Sequence, residues 1–326
     1  MASIRRKLNR VGYYIRNIAR DLAPQFLFRN LLPRLLAEAD RYDAAYLSQR
    51  ANYYNKLSHP LRPQEYSANV ATLPMDRSMY YYDLKEHARY FPRRFRLNYA
   101  FGDVTQVPDR PSFVKSRPIF GDNQNSLLIN LDKFRHFNFP GDEMDFRDKK
   151  PIAVWRGGLH NPKRVALVSR HFDHPLCDVG SPTGRPFKPF LSARQQMGFR
   201  YVISIEGVDV ATNLKWVLAS NSLCLMPLPN HETWFMEGRL EAGKHYALLR
   251  DDFEDLEEKI LYYERNFGEA LQIIRNANAF AEQFRNAARE RLVALLVLYK
   301  YFVLTGQLEA DDRISGLIAL TVGSTS

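Results

Sequence analysis

Between Pro151 and Arg250, short apolar runs alternate with helical patterns, and no other feature of the sequence constrains the fold as strongly. The stretch PIAVWRGGLHNPKRVALVSRHF (151–172) contains an apolar run ending at Trp155, a glycine pair at Gly157 and Gly158, and a helix opening near Asn161. FRYVISIEGVDVATNLKWVLASNSLCLMP (199–227) repeats the order of strand, glycine turn, helix and strand. Apolar runs of about four to six residues separated by helices are the pattern of a parallel α/β sheet. Ligands of such sheets sit beyond the carboxyl ends of the strands, where helix N-termini offer free N–H groups to anions. Lys163 and Arg164 stand on the first turn of the first helix, where a diphosphate is expected.

The chain of 326 residues is long enough for two domains of ordinary size, and 45% hydrophobic content supplies their cores. Cys177 and Cys224 are too few for a disulfide framework and read as reduced core residues. No window reaches the roughly 18 apolar residues of a membrane-spanning helix, and the basic N-terminus lacks the apolar core of a secretory signal. A cytoplasmic location is therefore expected. Residues 1–36 hold eight arginines and lysines against Asp21 alone, so most of the net charge of +10 lies at one end. The near-neutral remainder argues against a nucleic-acid groove.

A helix is expected over 3–22, with Ile4, Leu8, Val11, Ile15, Ile18 and Leu22 near one face and Arg5, Lys7, Arg10, Arg16 and Arg20 largely outside it. Such a segment, here 1–38, fits the surface of an anionic membrane; the alternative is a helix packed on its own domain. Residues 40–100 are rich in tyrosine and read as helices with packed rings. The apolar run at Tyr99–Phe101 stops at Gly102-Asp103, so Asp103 either faces a cleft or closes a turn on its own backbone. A strand and turn are expected at 128–139, a charged, exposed linker at 141–150, a strand at Tyr246–Leu249 and an acidic helix from Asp251. Long helices follow, and the GSTS tail is expected to fray.

The turn WRGGLHNPKR permits close backbone approach at Gly157 and Gly158 and adds charge through Lys163 and Arg164, though it is neither a Walker loop nor a GxGxxG fingerprint. Asn213 and Lys215 open a second helix on the same edge, as a further anion site or as a cap and a solvated lysine. Glu232 beside Trp234 suits a sugar, since indoles stack on C–H faces and carboxylates accept from hydroxyls. Glu237 fits a local turn. His171, His174 and Cys177 are not read as metal ligands, because Pro175 breaks a helix carrying all three and a fourth ligand is missing.

WRGG-x5-R at 155–164, IEG at 205–207, NLKWVLASNSLCL at 213–225, HETWF at 231–235 and EAGKHYALLRDDFEDLEEKI at 241–260 together resemble glycosyltransferase family 90, and YAFGDVTQVPDRPSFVKSRPI resembles its bacterial, lipopolysaccharide-modifying branch. The resemblance implies a GT-B fold, with two Rossmann-like domains facing across a cleft and a C-terminal helix crossing back to the first. With the boundary placed in the charged segment 141–150, the chain divides into an acceptor-side domain over 39–145, a nucleotide-sugar-binding domain over 146–285, and a helix and tail over 286–326. The resemblance implies inverting transfer from a nucleotide sugar, in most cases a UDP-sugar, to a lipopolysaccharide or other glycan hydroxyl, with no metal and no cofactor. By this resemblance Asp103 is the base, and Arg164 holds the diphosphate after the turn Trp155, Arg156, Gly157, Gly158. Lys215 follows the turn at Gly207, where Glu206 replaces the family's aspartate, so Glu206 receives no catalytic role. Asn213, Glu232 and Trp234 complete the donor site. The implied place of work is the inner face of the cytoplasmic membrane. The competing expectation is a non-catalytic, membrane-tethered nucleotide-binding module.

Overall fold

A computed structural model of the chain describes residues 2–61 and 65–318; for 2–7 it gives backbone alone, so Ile4, Arg5 and Lys7 lie outside the described side chains, and the GSTS tail lies outside the described residues. The chain forms two compact units, Met1–Phe134 with Asn286–Ser326, and Arg135–Arg285.

The first unit contains α1 (Ala2–Leu22), α2 (Ala44–Tyr54), α3 (Ser78–Ala88) and a three-stranded parallel sheet of β1 (Tyr99–Ala100), β2 (Ser112–Val114) and β3 (Ser126–Leu128). Phe113, Val114, Leu127 and Leu128 are fully buried, as expected where a parallel strand is covered on both faces. Because the strands are parallel, residues just after β1 and β2 emerge at one edge. The buried guanidinium of Arg117 donates to the carbonyls of Tyr53 (2.7 Å) and Ser126 (3.0 Å), tying α2 to the sheet.

The second unit is built on a five-stranded parallel sheet. Its elements are β4 (Lys150–Arg156), α4 (Pro162–His171), β5 (Cys177–Gly180), β6 (Phe199–Ile203), α5 (Leu214–Leu218), β7 (Leu223–Met226), β8 (Ala247–Leu248), α6 (Leu256–Arg265) and α7 (Phe267–Glu282). The spatial order is β8-β7-β6-β4-β5. Register pairs Val154 with Val202 and Leu225 with Ile203, and these residues are fully buried. From β4 the chain steps outward to β5, then crosses β4 to continue through β6, β7 and β8 on the other side. The order thus reverses between β4 and β6, leaving a crevice beyond their carboxyl ends. The alternation of apolar runs and helices therefore yields the mixed α/β architecture with parallel sheets that it pointed to.

Most of 141–150 is exposed, as expected of its charges, but the segment is not a free linker. Lys149 is buried, and its ammonium donates to Asp142 (2.6 Å), Ser222 Oγ (3.0 Å) and the Met197 carbonyl, while Asp142 accepts from Asn221 N–H at 2.8 Å. The charges clamp the segment onto the second unit. After α7 the chain enters α8 (Ala287–Leu304), which is counted in the first unit and buries most of its circumference. Arg50 of α2 pairs with Glu290 through two hydrogen bonds of 3.1 and 2.8 Å, and Lys300 donates to Asn52 and to the Asn55 carbonyl, fixing α8 against α2.

Candidate functional site

The carboxyl end of β4 is shaped by steric need. A Cβ on Gly157 would fall 2.5 Å from the Trp155 ring, so only glycine lets the chain turn over the buried indole. Arg156 folds back to Asp178 on β5 (2.7 Å) and to the Asp178 carbonyl, so it clamps the sheet instead of facing a donor. Asn161 then caps α4: its Oδ1 accepts from Lys163 N–H at 2.9 Å, and Pro162 occupies the first helical position, where no N–H is needed. The same side chain donates to the Gly207 carbonyl at 2.8 Å, joining the turn after β4 to the turn after β6.

Arg164 lies between those turns. Its guanidinium donates to the carbonyls of Glu206 (3.0 Å), Ile205 (3.0 Å) and Gly158 (3.3 Å) and lies 5.7 Å from the centre of the Trp155 ring. These acceptors are neutral, and among the described residues no carboxylate pairs with Arg164. Burial pulls its pKa below the usual arginine value, as befits a half-buried cation with no counter-charge. A Cβ at Gly207 would stand 3.1 Å from Arg164 Nη2 and 3.3 Å from His160 Nε2, so the second glycine turn makes room for this cation.

Glu206 points elsewhere. Its carboxylate accepts from the backbone N–H groups of Asn230 (2.9 Å) and His231 (3.0 Å) and from Asn230 Nδ2 (3.1 Å). Burial would raise its pKa, but hydrogen bonds from His231 and Asn230 win and hold it below the usual glutamate value. The result is a fixed 230–231 loop beside the end of β6. Between this loop, β6, β7 and α4 lies a narrow cleft, walled by Ile205, Val210, Leu214, Met226 and Leu228, with Lys163, Ser204, Glu206, His231 and Glu237 as its polar lining. Lys163 is held by exposed Asp251 at 2.6 Å.

The other residues singled out from the sequence are placed differently. Asn213 donates to the Ile203 carbonyl (2.9 Å) and accepts from Ser204 Oγ (3.1 Å), bracing the end of β6. Lys215, expected to face a phosphate, is instead fully buried in an ion pair with Glu237, which also accepts from Thr233 N–H at 2.6 Å. Trp234, expected to stack on a sugar, is 1% exposed, and Glu232 is 3% exposed, so neither offers a ligand-sized face here. The roles of Asn161, Ser204 and the loop before His231 escaped the sequence reading, which took Asn161 only as the opening of a helix. Only Asn161, directly before a proline at a helix start, carried a local signal.

In the first unit, Asp103 follows β1 after Gly102, whose φ of 124° lies in the left-handed region that favours glycine. The Asp103 carboxylate is about one-third exposed and accepts from the ammonium of buried Lys115, at the carboxyl end of β2, and from Tyr80 Oη at 3.3 Å. It is a carboxylate held at a sheet edge by two side chains.

The expected separation of His171, His174 and Cys177 is not found. A turn after α4 gathers their donor atoms within 4.8 Å of one another. His171 Nε2 bonds to the Phe253 carbonyl at 2.8 Å, and burial pushes the Cys177 thiol up to about 12. Cys177 starts β5, so the group lies at the amino edge of the sheet, away from the cleft.

Residues 135–289 match the description "Glycosyl transferase family 90", a segment that begins where the second unit begins. The chain is 45% identical to the O-glucosyltransferase LpsA of Dichelobacter nodosus over 311 residues, which cover 92% of this chain and 97% of that protein. Protein O-glucosyltransferase 3 of Homo sapiens is 28% identical over 166 residues, 47% of this chain and 32% of the human protein. The protein of the same name from Rattus norvegicus is 27% identical over the same shares.

Proposed function

The chain belongs to glycosyl transferase family 90 and is a glycosyltransferase, and we propose that it moves a glucosyl group from UDP-glucose to a saccharide hydroxyl. The glucosyl group is taken from the names of the relatives, and the lipopolysaccharide core or another surface glycan is the proposed acceptor, at the inner face of the cytoplasmic membrane. The observation that carries the donor half is Arg164, a cation pinned by three carbonyls at the strand-order reversal, with no carboxylate among the described residues to neutralise it. A diphosphate supplies the missing charge, and the apolar cleft beside it takes the nucleoside.

In the proposed reaction the acceptor oxygen attacks the anomeric carbon as the bond to the diphosphate breaks, so configuration inverts. Asp103 takes the acceptor proton, with Lys115 and Tyr80 fixing its carboxylate. The diphosphate gains one negative charge on leaving. Arg164, on the first turn of α4, meets that charge, an arrangement that needs no resident metal. A GT-B arrangement of the two units is the proposed frame.

Calorimetric titration with UDP, GDP and CMP, with and without EDTA, tests the donor half. Selective UDP binding that survives EDTA and weakens about tenfold or more in Arg164→Ala, a change of about 1.4 kcal/mol, is expected. Failure of the intact chain to bind any of the three removes the reading.

A further inference from the structure

Helix α1 is docked in the reverse sense for an amphipathic surface helix. Its polar face is the one that touches protein: Tyr13 Oη donates to Asp83 at 2.9 Å, Tyr14 and Ser78 hydroxyls lie 3.0 Å apart, and Arg20 pairs with Glu86 at 3.1 Å. Asp21 accepts from Tyr81 Oη at 2.6 Å and from Arg89 at 3.2 Å. These bonds hold α1 along α3. The apolar stripe is consequently turned outward, with Leu8 64%, Ile15 63% and Leu22 80% exposed and Val11 and Ile18 exposed between them. Exposed Phe26, Leu27 and Leu31 continue the patch beyond the helix. Helices that stabilise a globular unit bury such a stripe, and a large exposed apolar patch with a polar rim marks a surface that meets something else.

Charge decides what that is. Arg10, Arg16, Arg29 and Arg34 are exposed around the patch. The eight basic residues of 1–36 face one acid, Asp21, which is already taken by Tyr81 and Arg89. A second copy of the chain would oppose this excess with an identical one. Anionic headgroups over acyl chains complement both the cations and the stripe. No described helix is long and apolar enough to cross a membrane, so the contact is one of lying on the surface. We propose that the outward face of α1, extended by Phe26, Leu27 and Leu31, is the surface by which this protein binds an anionic lipid bilayer. The inference stands apart from the sugar-transfer reading, because its test reads vesicle binding and not turnover.

The full chain is sedimented with vesicles of phosphatidylcholine alone and of phosphatidylcholine with phosphatidylglycerol, at low and high salt. Wild type is expected to bind the anionic vesicles at least tenfold more tightly, and more weakly as salt rises. Ile15→Asp with Leu22→Asp is expected to lose that binding at least tenfold while keeping its circular dichroism melt, since both side chains point to solvent. Leu22→Trp, which adds no charge, is expected to be quenched by brominated acyl chains. Unchanged binding of the aspartate variant, with no quenching of Leu22→Trp, would reduce the contact to adsorption of charge and overturn the proposal. So would a wild-type chain indifferent to anionic lipid, or one whose dimer dissociates in the aspartate variant while vesicle binding persists.

Discussion

The Lys215–Glu237 pair separates a structural role from a ligand-binding one. Both side chains are fully shielded from solvent, and Glu237 also takes the N–H and hydroxyl of Thr233 at 2.6 and 2.9 Å. Lys215→Met keeps the bulk of the side chain but removes the ammonium, leaving a buried carboxylate with hydrogen bonds and no counter-charge. Losing one partner of a buried pair costs about 3–5 kcal/mol. At about 2–4 °C per kcal/mol for a unit of this size, the melting midpoint falls by about 6–20 °C. Adding Glu237→Gln removes the stranded charge and recovers much of the loss, so the two substitutions are strongly non-additive. The chain's three tryptophans, Trp155, Trp216 and Trp234, all lie within Arg135–Arg285, so their fluorescence in a urea titration follows this unit alone. UDP affinity, measured calorimetrically at a temperature where the variant is folded, stays within about threefold of wild type, under about 0.7 kcal/mol. An unchanged midpoint with affinity down more than tenfold would refute the reasoning and return Lys215 to the diphosphate.

Gly207→Ala places a methyl group 3.1 Å from Arg164 Nη2, so UDP affinity should fall about tenfold with little loss of stability; calorimetry and a melting curve check both. Asp103→Asn keeps an acceptor for Lys115 but cannot take a proton, so turnover should drop about 10²–10⁴-fold while UDP binding persists, as read by product formation beside calorimetry. Burial lowers the Lys300 pKa from 10.5 to about 8, so between those values the unfolded chain carries a proton that the folded chain does not. Folding stability contributed by this group therefore rises with pH across that window, by up to about 3 kcal/mol. Urea titrations of wild type and Lys300→Met at several pH values should differ by that slope.

The α/β alternation was legible because a strand buried on both faces must be apolar almost throughout, and its turns must carry glycine where side chains crowd. That holds for β4, β6 and β7, and for Gly157 beneath Trp155. The place of Arg164 at the carboxyl edge was legible too, because Pro162 at a helix start fixes the phase of the first turn. Lys215 shows where such reading stops. It follows Leu214, which lines the cleft, and one residue of helix turns a side chain by about 100°. On the five-residue α5 that turn aims the ammonium at Glu237, a partner 22 positions away that no local pattern names. Likewise, the charges of 141–150 read as solvated, and most are, but Lys149 is buried against Ser222 and the Met197 carbonyl, partners that no local pattern names.

The N-terminal stripe makes the same point in reverse. Its spacing gave a helix with one apolar face, but spacing carries no information about which face meets the protein. That choice rests on Ser78, Asp83 and Glu86, which lie 64 to 70 residues beyond their partners in α1. Hydrophobic burial alone would have turned the stripe inward. The outward orientation instead follows from polar bonds to α3, including two pairs of opposite charge, Arg20 with Glu86 and Asp21 with Arg89. The Arg20–Glu86 pair is partly exposed and weak in water, whereas Arg89 is buried beside Asp21; on the proposal above, lipid over the stripe would supply the stabilisation that the water-exposed arrangement forgoes. Replacing Asp83 or Glu86 should therefore loosen α1 from its unit before it disturbs either sheet, as amide exchange across α1 and the sheets would read.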